Sequence, residues 1–201
     1  MRMVGGPAAR PYRYAKYNSQ IMSILKVAHM GHPVLRAKAR SIDRADITSA
    51  TVQKLIDDMI ETMKEYHGVG LAGPQVHESL RLFVASLDAG RDVEVPSEPI
   101  AIINPEITPV TNELVEDWEG CLSIPDIRGK VPRLREIKVR AFDRNGEKIE
   151  IRASNFSARV IQHETDHLDG ILFFDRMKSF ESLTFLEEYS RYWVRNDEED
   201  D

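Results

Sequence analysis

The stretch "QHETDHLDG", residues 162–170, constrains the fold most, because its spacing suits one local structure. His163 and His167 are four residues apart, and a helix places such residues on one face, about 40° apart around its axis. Both imidazoles could then reach one metal ion, with Glu164 beside them to accept a proton from a bound water. The pattern predicts a metal-binding helix, although two surface histidines at this spacing are an alternative.

A catalytic zinc-type site usually has three protein ligands, and only two are visible in this stretch. The metzincin motif continues as H-E-x-x-H-x-x-G-x-x-H, and this chain matches it as far as Gly170. Phe173 stands where the motif has its third histidine. Cys121, in "WEGCLSIP", is a candidate because thiolates bind zinc and ferrous iron. A lone cysteine can equally be a buried apolar residue or a nucleophile. Three downstream acids are expected on the solvated face of an amphipathic helix: Glu181, Glu187 and Glu188.

The composition limits the class of protein. A chain of 201 residues with 42% hydrophobic residues fits one domain with a substantial core. The net charge of -6 argues against a general nucleic-acid binder, and no apolar run is long enough to span a bilayer. A single cysteine excludes an internal disulfide framework and favours a reducing compartment.

The two ends of the chain differ from its middle. Residues 1–21 are basic and lack the apolar stretch of a secretory signal, so we interpret them as an extension. An organellar transit peptide also fits their composition. The domain is expected over residues 22–195, followed by a solvated acidic tail at 196–201. We predict a bacterial cytoplasmic location and regard organellar import as the less favoured alternative.

The remaining sequence predicts an α+β fold. Apolar residues at helical spacing predict a first helix within residues 48–68. Thr48 or Ser49 can cap its start, and Gly68 can end it. Helices are also expected over 156–169, with Gly170 as the stop, and over 179–193. Strands are expected at "RLFVAS", "IAIIN" and "NELVEDW", and a hairpin at "EIKVRAFD" and "EKIEIRAS" around "RNG". Small mixed or antiparallel sheets would pack around the central helix that carries the HExxH motif, with a C-terminal helix after them. The first helix is expected to place these residues on one apolar face: Val52, Leu55, Ile56, Met59, Ile60 and Met63.

Three segments together resemble the peptide deformylase family: "GVGLAGPQ" (68–75), "EGCLS" (119–123) and "QHETDH" (162–167). The resemblance runs from about residue 22 to 174, and departs from the family at Gly73 and Thr165. "GVGLAG" also fits the dinucleotide fingerprint, but that motif needs a strand before it and a helix after it. Here a helix is predicted before it and Pro74 follows, so we reject that interpretation.

The resemblance implies an activity and a cofactor. The enzyme would remove the N-formyl group from the initiator formyl-methionine of new polypeptides at the ribosome, through hydroxide that the metal supplies. Ferrous iron is the implied metal, with zinc, nickel or cobalt as alternatives. Sequence-specific nucleic acid and membranes are not expected as partners. The implied ligands are Cys121, His163 and His167, and the implied general acid/base is Glu164.

The resemblance also implies how the substrate is held. The side-chain amide of Gln75 and the backbone N–H of Leu122 would stabilise the oxyanion. The peptide would lie extended between segments 68–70 and 120–122. Further implied contacts are Gly70, Gly120 and Arg128 along the peptide, and Val69, Phe156 and Val160 around the methionine side chain.

Two other functions use the same helix. A metallo-endopeptidase would share His163, Glu164 and His167 but would usually take its third ligand from downstream. A non-catalytic metal-binding domain would have no need of a base at Glu164. Cys121 upstream distinguishes the first alternative from a deformylase, and formyl release distinguishes the second.

Overall fold

A computed structural model describes residues 23–87 and 98–194. The predictions for residues 1–21 and 196–201 lie outside these ranges. No helix within them combines the length and apolar character needed to cross a membrane. The α-helices are α1 (Ala50–Glu65), α2 (Asn155–Leu168) and α3 (Leu186–Tyr192). The strands are β1 (Gly70–Ala72), β2 (Leu82–Ala85), β3 (Ile100–Pro109), β4 (Leu114–Cys121), β5 (Ile124–Leu134), β6 (Glu136–Phe142), β7 (Lys148–Ser154) and β8 (Thr184–Phe185).

Helix α1 forms where the apolar spacing predicts it. Ser49 caps its start, because the Ser49 side chain accepts a hydrogen bond from the backbone N–H of Val52. The helix ends before the expected stop, since His67 adopts the left-handed conformation with φ 54°. The backbone N–H of Gly68 then closes the turn on the Met63 carbonyl at 2.8 Å. The apolar face packs against one side of the larger sheet.

The larger sheet is antiparallel, in the order β1-β2-β3-β6-β7. Its β6–β7 hairpin confirms the prediction from "RNG", and Gly146 supplies the positive φ of 76° that the turn requires. Among the described residues, strand β1 pairs on one side only, with β2. The sheet therefore presents this short strand, which lies within the "GVGLAG" segment, as a free edge.

The smaller sheet has the order β4-β5-β8, and within the part of the chain that the structure describes β4 is a free edge. Strand β5 is absent from the sequence prediction, because Pro125, Gly129 and Pro132 interrupt its pattern of β-formers. Helix α2 contacts strands of both sheets. The structure thus confirms an α+β fold around a central HExxH helix, and its strand ladders are antiparallel.

The C-terminal helix is shorter than predicted. The sequence indicates a helix over 179–193, whereas α3 covers Leu186–Tyr192. Thr184 and Phe185 form β8 instead and pair with Arg128 and Ile127 of β5. Threonine and phenylalanine suit a strand, and β5 offers them unpaired backbone groups, which together override the helical spacing.

The acids of this region are solvated, as expected. Arg191 forms surface ion pairs with Glu187 at 2.8 Å and with Glu188 at 3.0 Å. Glu181 is exposed and precedes the helix.

Candidate active site

Helix α2 carries the three polar residues of the HExxH motif into the interior. His163, Glu164 and His167 are 8%, 4% and 1% exposed. Cys121 ends β4, and its Sγ lies 3.2 Å from the Nε2 of His167. One ligand atom from each of Cys121, His163 and His167 can be chosen so that all three lie within 4.8 Å of one another. The fold therefore brings together the two helical histidines and the upstream cysteine.

The orientation of the imidazoles suits a metal. The Nδ1 of His163 donates to the carboxylate of Glu119 at 2.9 Å, which leaves its Nε2 for a ligand bond. Metal-binding histidines commonly have such a carboxylate behind them. Burial holds the pKa of His167 well below its ordinary value, so this ring stays neutral. A thiol and two imidazoles match the donors that zinc and ferrous iron prefer, so these residues fit a divalent transition metal.

Glu119 is the centre of a buried ionic network. Arg133 binds it through two hydrogen bonds of 2.9 and 3.0 Å, and Arg159 reaches it at 2.8 Å. Burial acts to raise the pKa of Glu119, but hydrogen bonds from His163 and Arg133 outweigh burial and hold it well below its ordinary value. Arg133 also pairs with Asp166 on α2. The network fixes the carboxylate behind His163 in its ionised form and ties α2 to the β4–β5 hairpin.

The carboxylate of Glu164 packs directly against the backbone of Gly70, where only a glycine leaves room for it. A Cβ built on Gly70 would lie 2.7 Å from the Cδ of Glu164, so any larger residue there would displace the carboxylate. The Oε2 of Glu164 is buried and has no hydrogen-bond partner among the described residues. Burial raises the pKa of Glu164 to about 7. A carboxyl with this pKa can both accept and return a proton near neutral pH.

Gln75 faces the same centre from a short 3-10 turn, Gly73–Val76. Its Oε1 accepts a hydrogen bond from the backbone N–H of Ala72 at 2.8 Å, which fixes the orientation of the amide. Its Nε2 lies 3.5 Å from the Sγ of Cys121 and 3.2 Å from the Oγ of Ser123. The donor side of the amide therefore points toward Cys121 and Ser123.

A cavity of about 460 Å³ opens beside these groups, between the free edges β1 and β4. Val69 and Phe156 are 37% and 39% exposed, so they form an accessible wall and are not ordinary core residues. Val160, on α2, is 5% exposed and forms the inner part of this wall. The cavity is lined by all the residues expected to contact substrate: Val69, Gly70, Gln75, Gly120, Leu122, Arg128, Phe156 and Val160.

The chain matches known proteins over most of its length. A family model described as polypeptide deformylase matches residues 24–182. The chain is 46% identical, over 86% of its length and 97% of the relative, to peptide deformylase 2 of Nostoc sp.. The chain belongs to the peptide deformylase family. It is accordingly a metal-dependent hydrolase that removes the N-formyl group from new polypeptides.

Solved structures of the family agree with this fold. Peptide deformylase from Thermotoga maritima superposes with a TM-score of 0.70 at 40% identity, covering 78% of this chain and 99% of that one. A class I type b peptide deformylase from Acinetobacter baumannii, solved with Met-Ala-Ser bound, gives a TM-score of 0.72 at 36% identity, covering 78% and 100%. Family membership sets aside the metallo-endopeptidase and the non-catalytic metal-binding domain.

Sequence reasoning missed the groups that support the ligands. Glu119 lies inside the "EGCLS" segment, but nothing local shows that it meets His163, 44 residues away. The pairing of β4 with β5 brings Arg133 to Glu119, and the packing of α2 on this hairpin brings Arg159 there. A charged residue between apolar neighbours, as at Arg159 in "ARVIQ", was the one available signal of a buried ion pair.

Proposed function

We propose that Cys121, His163 and His167 hold the catalytic metal of the deformylase, with ferrous iron as the natural ion and zinc, nickel or cobalt as competent replacements. The observation that supports this most is the convergence of one thiol and two imidazoles beside a buried carboxylate. A divalent ion there would supply a water of lowered pKa and hence hydroxide near neutral pH.

Glu164 serves as the general acid/base. Its carboxylate takes the proton of the attacking water and later returns it to the departing amine nitrogen. The pKa of about 7 suits both transfers near neutral pH. Gly70 keeps the backbone of β1 close without displacing this carboxylate.

Gln75 and Leu122 stabilise the charge that develops on the formyl oxygen. The Nε2 of Gln75 can donate a hydrogen bond without bringing a competing charge. The hydrogen bond from the backbone N–H of Ala72 to the Oε1 of Gln75 keeps the amide from flipping by 180°. The backbone N–H of Leu122 provides the second donor. Donors fixed before the reaction stabilise an oxyanion at little reorganisation cost.

The peptide binds as an added strand between β1 and β4. Both strands are free edges that flank the cavity, so their backbone groups can pair with an extended peptide. The methionine side chain enters an apolar pocket, the methionine pocket, formed by Val69, Phe156 and Val160. Arg128 lies toward the end of the bound peptide that is farther from the formyl group. The substrates are formyl-methionyl chains emerging from the ribosome, and the enzyme acts in the cytoplasm of a bacterial-type cell.

Removal of the metal should abolish activity reversibly. We expect the full chain to release formate from formyl-Met-Ala under anaerobic conditions, and to lose this activity when a chelator strips the ion. Ferrous iron or zinc should restore turnover, because the ligands and Glu164 remain in place. The matched control is the chelator already saturated with metal. Full turnover by protein shown by elemental analysis to be metal-free would contradict the proposed centre.

Residues 1–21 should be dispensable for catalysis, because we propose a catalytic domain that begins at residue 22. A chain beginning at residue 22 is expected to keep kcat and KM on formyl-Met-Ala within about twofold, the range of changes that remove no specific contact. Its thermal unfolding should be compared with that of the full chain. Normal folding with loss of formate release would show that the extension contributes to the site.

A further inference from the structure

Arg159 is a buried charge on α2, about one helical turn before His163. Its side chain is only 8% exposed. Burying a charge costs free energy unless hydrogen bonds satisfy it, so the partners of a buried guanidinium indicate what it holds in place. The bond from Arg159 to Glu119 accounts for only part of its hydrogen bonding.

The other partners of Arg159 are backbone carbonyls of the β4–β5 hairpin. Its Nη2 donates to the carbonyl of Val115 at 2.7 Å, and its Nη1 donates to that of Val131 at 2.7 Å. The Nη1 also lies 3.3 Å from the carbonyl oxygen of Asp117. Val115 and Asp117 belong to β4, whereas Val131 belongs to β5. One side chain of the central helix therefore bonds the backbone of both strands.

The neighbouring side chains of α2 do not hold β4 in this way. Gln162 exchanges hydrogen bonds with the backbone N–H and carbonyl of Leu134, which is on β5. His163 reaches β4 only through the side chain of Glu119. Within residues 23–87 and 98–194, Arg159 is thus the one residue of α2 whose side chain hydrogen-bonds the backbone of β4.

The position of β4 matters because this strand is a free edge beside the cavity. An edge strand lacks a neighbour on one side, so contacts across its face help to fix it. On the basis of the proposed function, we infer that Arg159 is a positioning residue for the peptide. It holds β4 at the distance from α2 at which a peptide can pair with β4 while its first side chain fills the methionine pocket.

The metal ligands depend much less on Arg159. Without it, Glu119 keeps two charge-assisted hydrogen bonds from Arg133 and accepts from the Nδ1 of His163. The carboxylate behind His163 therefore stays fixed and ionised. Loss of Arg159 releases the strand edge and leaves the metal centre in place.

The length of the substrate tests this inference. Formyl-Met-Ala-Ser offers β4 an extended backbone, whereas formyl-methionine amide lacks the residues after methionine. In Arg159→Met we expect kcat/KM for formyl-Met-Ala-Ser to fall about ten- to a hundredfold, mainly through KM, because a small misplacement can cost that much. The value for formyl-methionine amide should stay within about threefold of wild type, as for changes that remove no specific contact. Metal content should be unchanged.

Two further variants accompany Arg159→Met. Arg152→Met makes the same chemical change on β7, where the Arg152 side chain is 74% exposed, and it should alter neither rate. Arg159→Lys keeps the charge, but one ammonium cannot replace a guanidinium fork across two strands, so its selective loss should be intermediate. Thermal unfolding and elemental analysis establish that each variant is folded and loaded. If Arg159→Met does not fold, the selective fall in Arg159→Lys decides the test.

The ratio of the two substrates separates peptide positioning from a general structural role. An equal fall for both substrates, or an unchanged ratio in a folded Arg159 variant, would overturn the inference. Loss of the metal from these variants would also overturn it, by making Arg159 a support for the ligands through Glu119. No formate release from either substrate by the wild type would contradict the proposed function itself.

Discussion

Glu164→Gln is expected to lower kcat by about a hundred- to ten-thousand-fold, the usual contribution of a general acid/base. The amide matches the carboxylate in size, so it should fit beside Gly70, but it cannot accept the water's proton near neutral pH. KM should change much less, because the peptide is held by strand edges and the methionine pocket. The measurements are kcat on formyl-Met-Ala and metal content by elemental analysis.

A surface carboxylate provides the control for this substitution. Glu65→Gln makes the same chemical change at an exposed position on α1 and should leave kcat unaltered. Near-normal kcat in Glu164→Gln would rule out Glu164 as the base. Loss of the metal in that variant would instead make its carboxylate a structural support for the ligands.

Cys121→Ser should lose most of the bound metal and nearly all activity. A serine hydroxyl is close in size to the thiol, but it remains protonated near neutral pH and is a poor ligand compared with a thiolate. No second cysteine exists in the chain to replace it. The remaining pair of imidazoles on α2 should bind the ion much more weakly. Metal content and formate release are measured on the same anaerobic sample.

Chelated wild-type protein is the reference for Cys121→Ser. If the variant lacks only the ion, its thermal unfolding should match that of the metal-free wild type, because the Glu119–Arg133 network remains. Full occupancy and full turnover in Cys121→Ser would show that the thiol is a core residue and that the ligand set is wrong. Unfolding far below the metal-free reference would show that the thiol supports the fold.

Local patterns in the sequence predict the elements that they define. Ser49 and the apolar spacing after it identify α1, the HETDH spacing identifies α2, and Gly146 identifies the β6–β7 turn. These features depend on contacts between residues close in the chain. They also predict the α+β class, because a helix, a group of strands and further helices follow one another.

Features that depend on distant contacts could not be predicted in this way. Strand β5 forms although prolines interrupt its pattern, because β4 pairs along most of its length. Thr184 and Phe185 leave the expected C-terminal helix because β5 offers an edge. The carboxylate behind His163 becomes visible only when β4 and α2 are packed together. The resemblance supplied the site residues, and the fold gathers them in and around one cavity.

X-ray absorption at the metal edge of the isolated holoenzyme tests the central proposal most directly. The account predicts one sulfur ligand at about 2.3 Å and two imidazole nitrogens at about 2.0–2.1 Å for a zinc-loaded sample. The sulfur signal should disappear from whatever metal Cys121→Ser retains. A wild-type spectrum with nitrogen and oxygen ligands only, in fully active enzyme, would contradict a centre built from Cys121, His163 and His167.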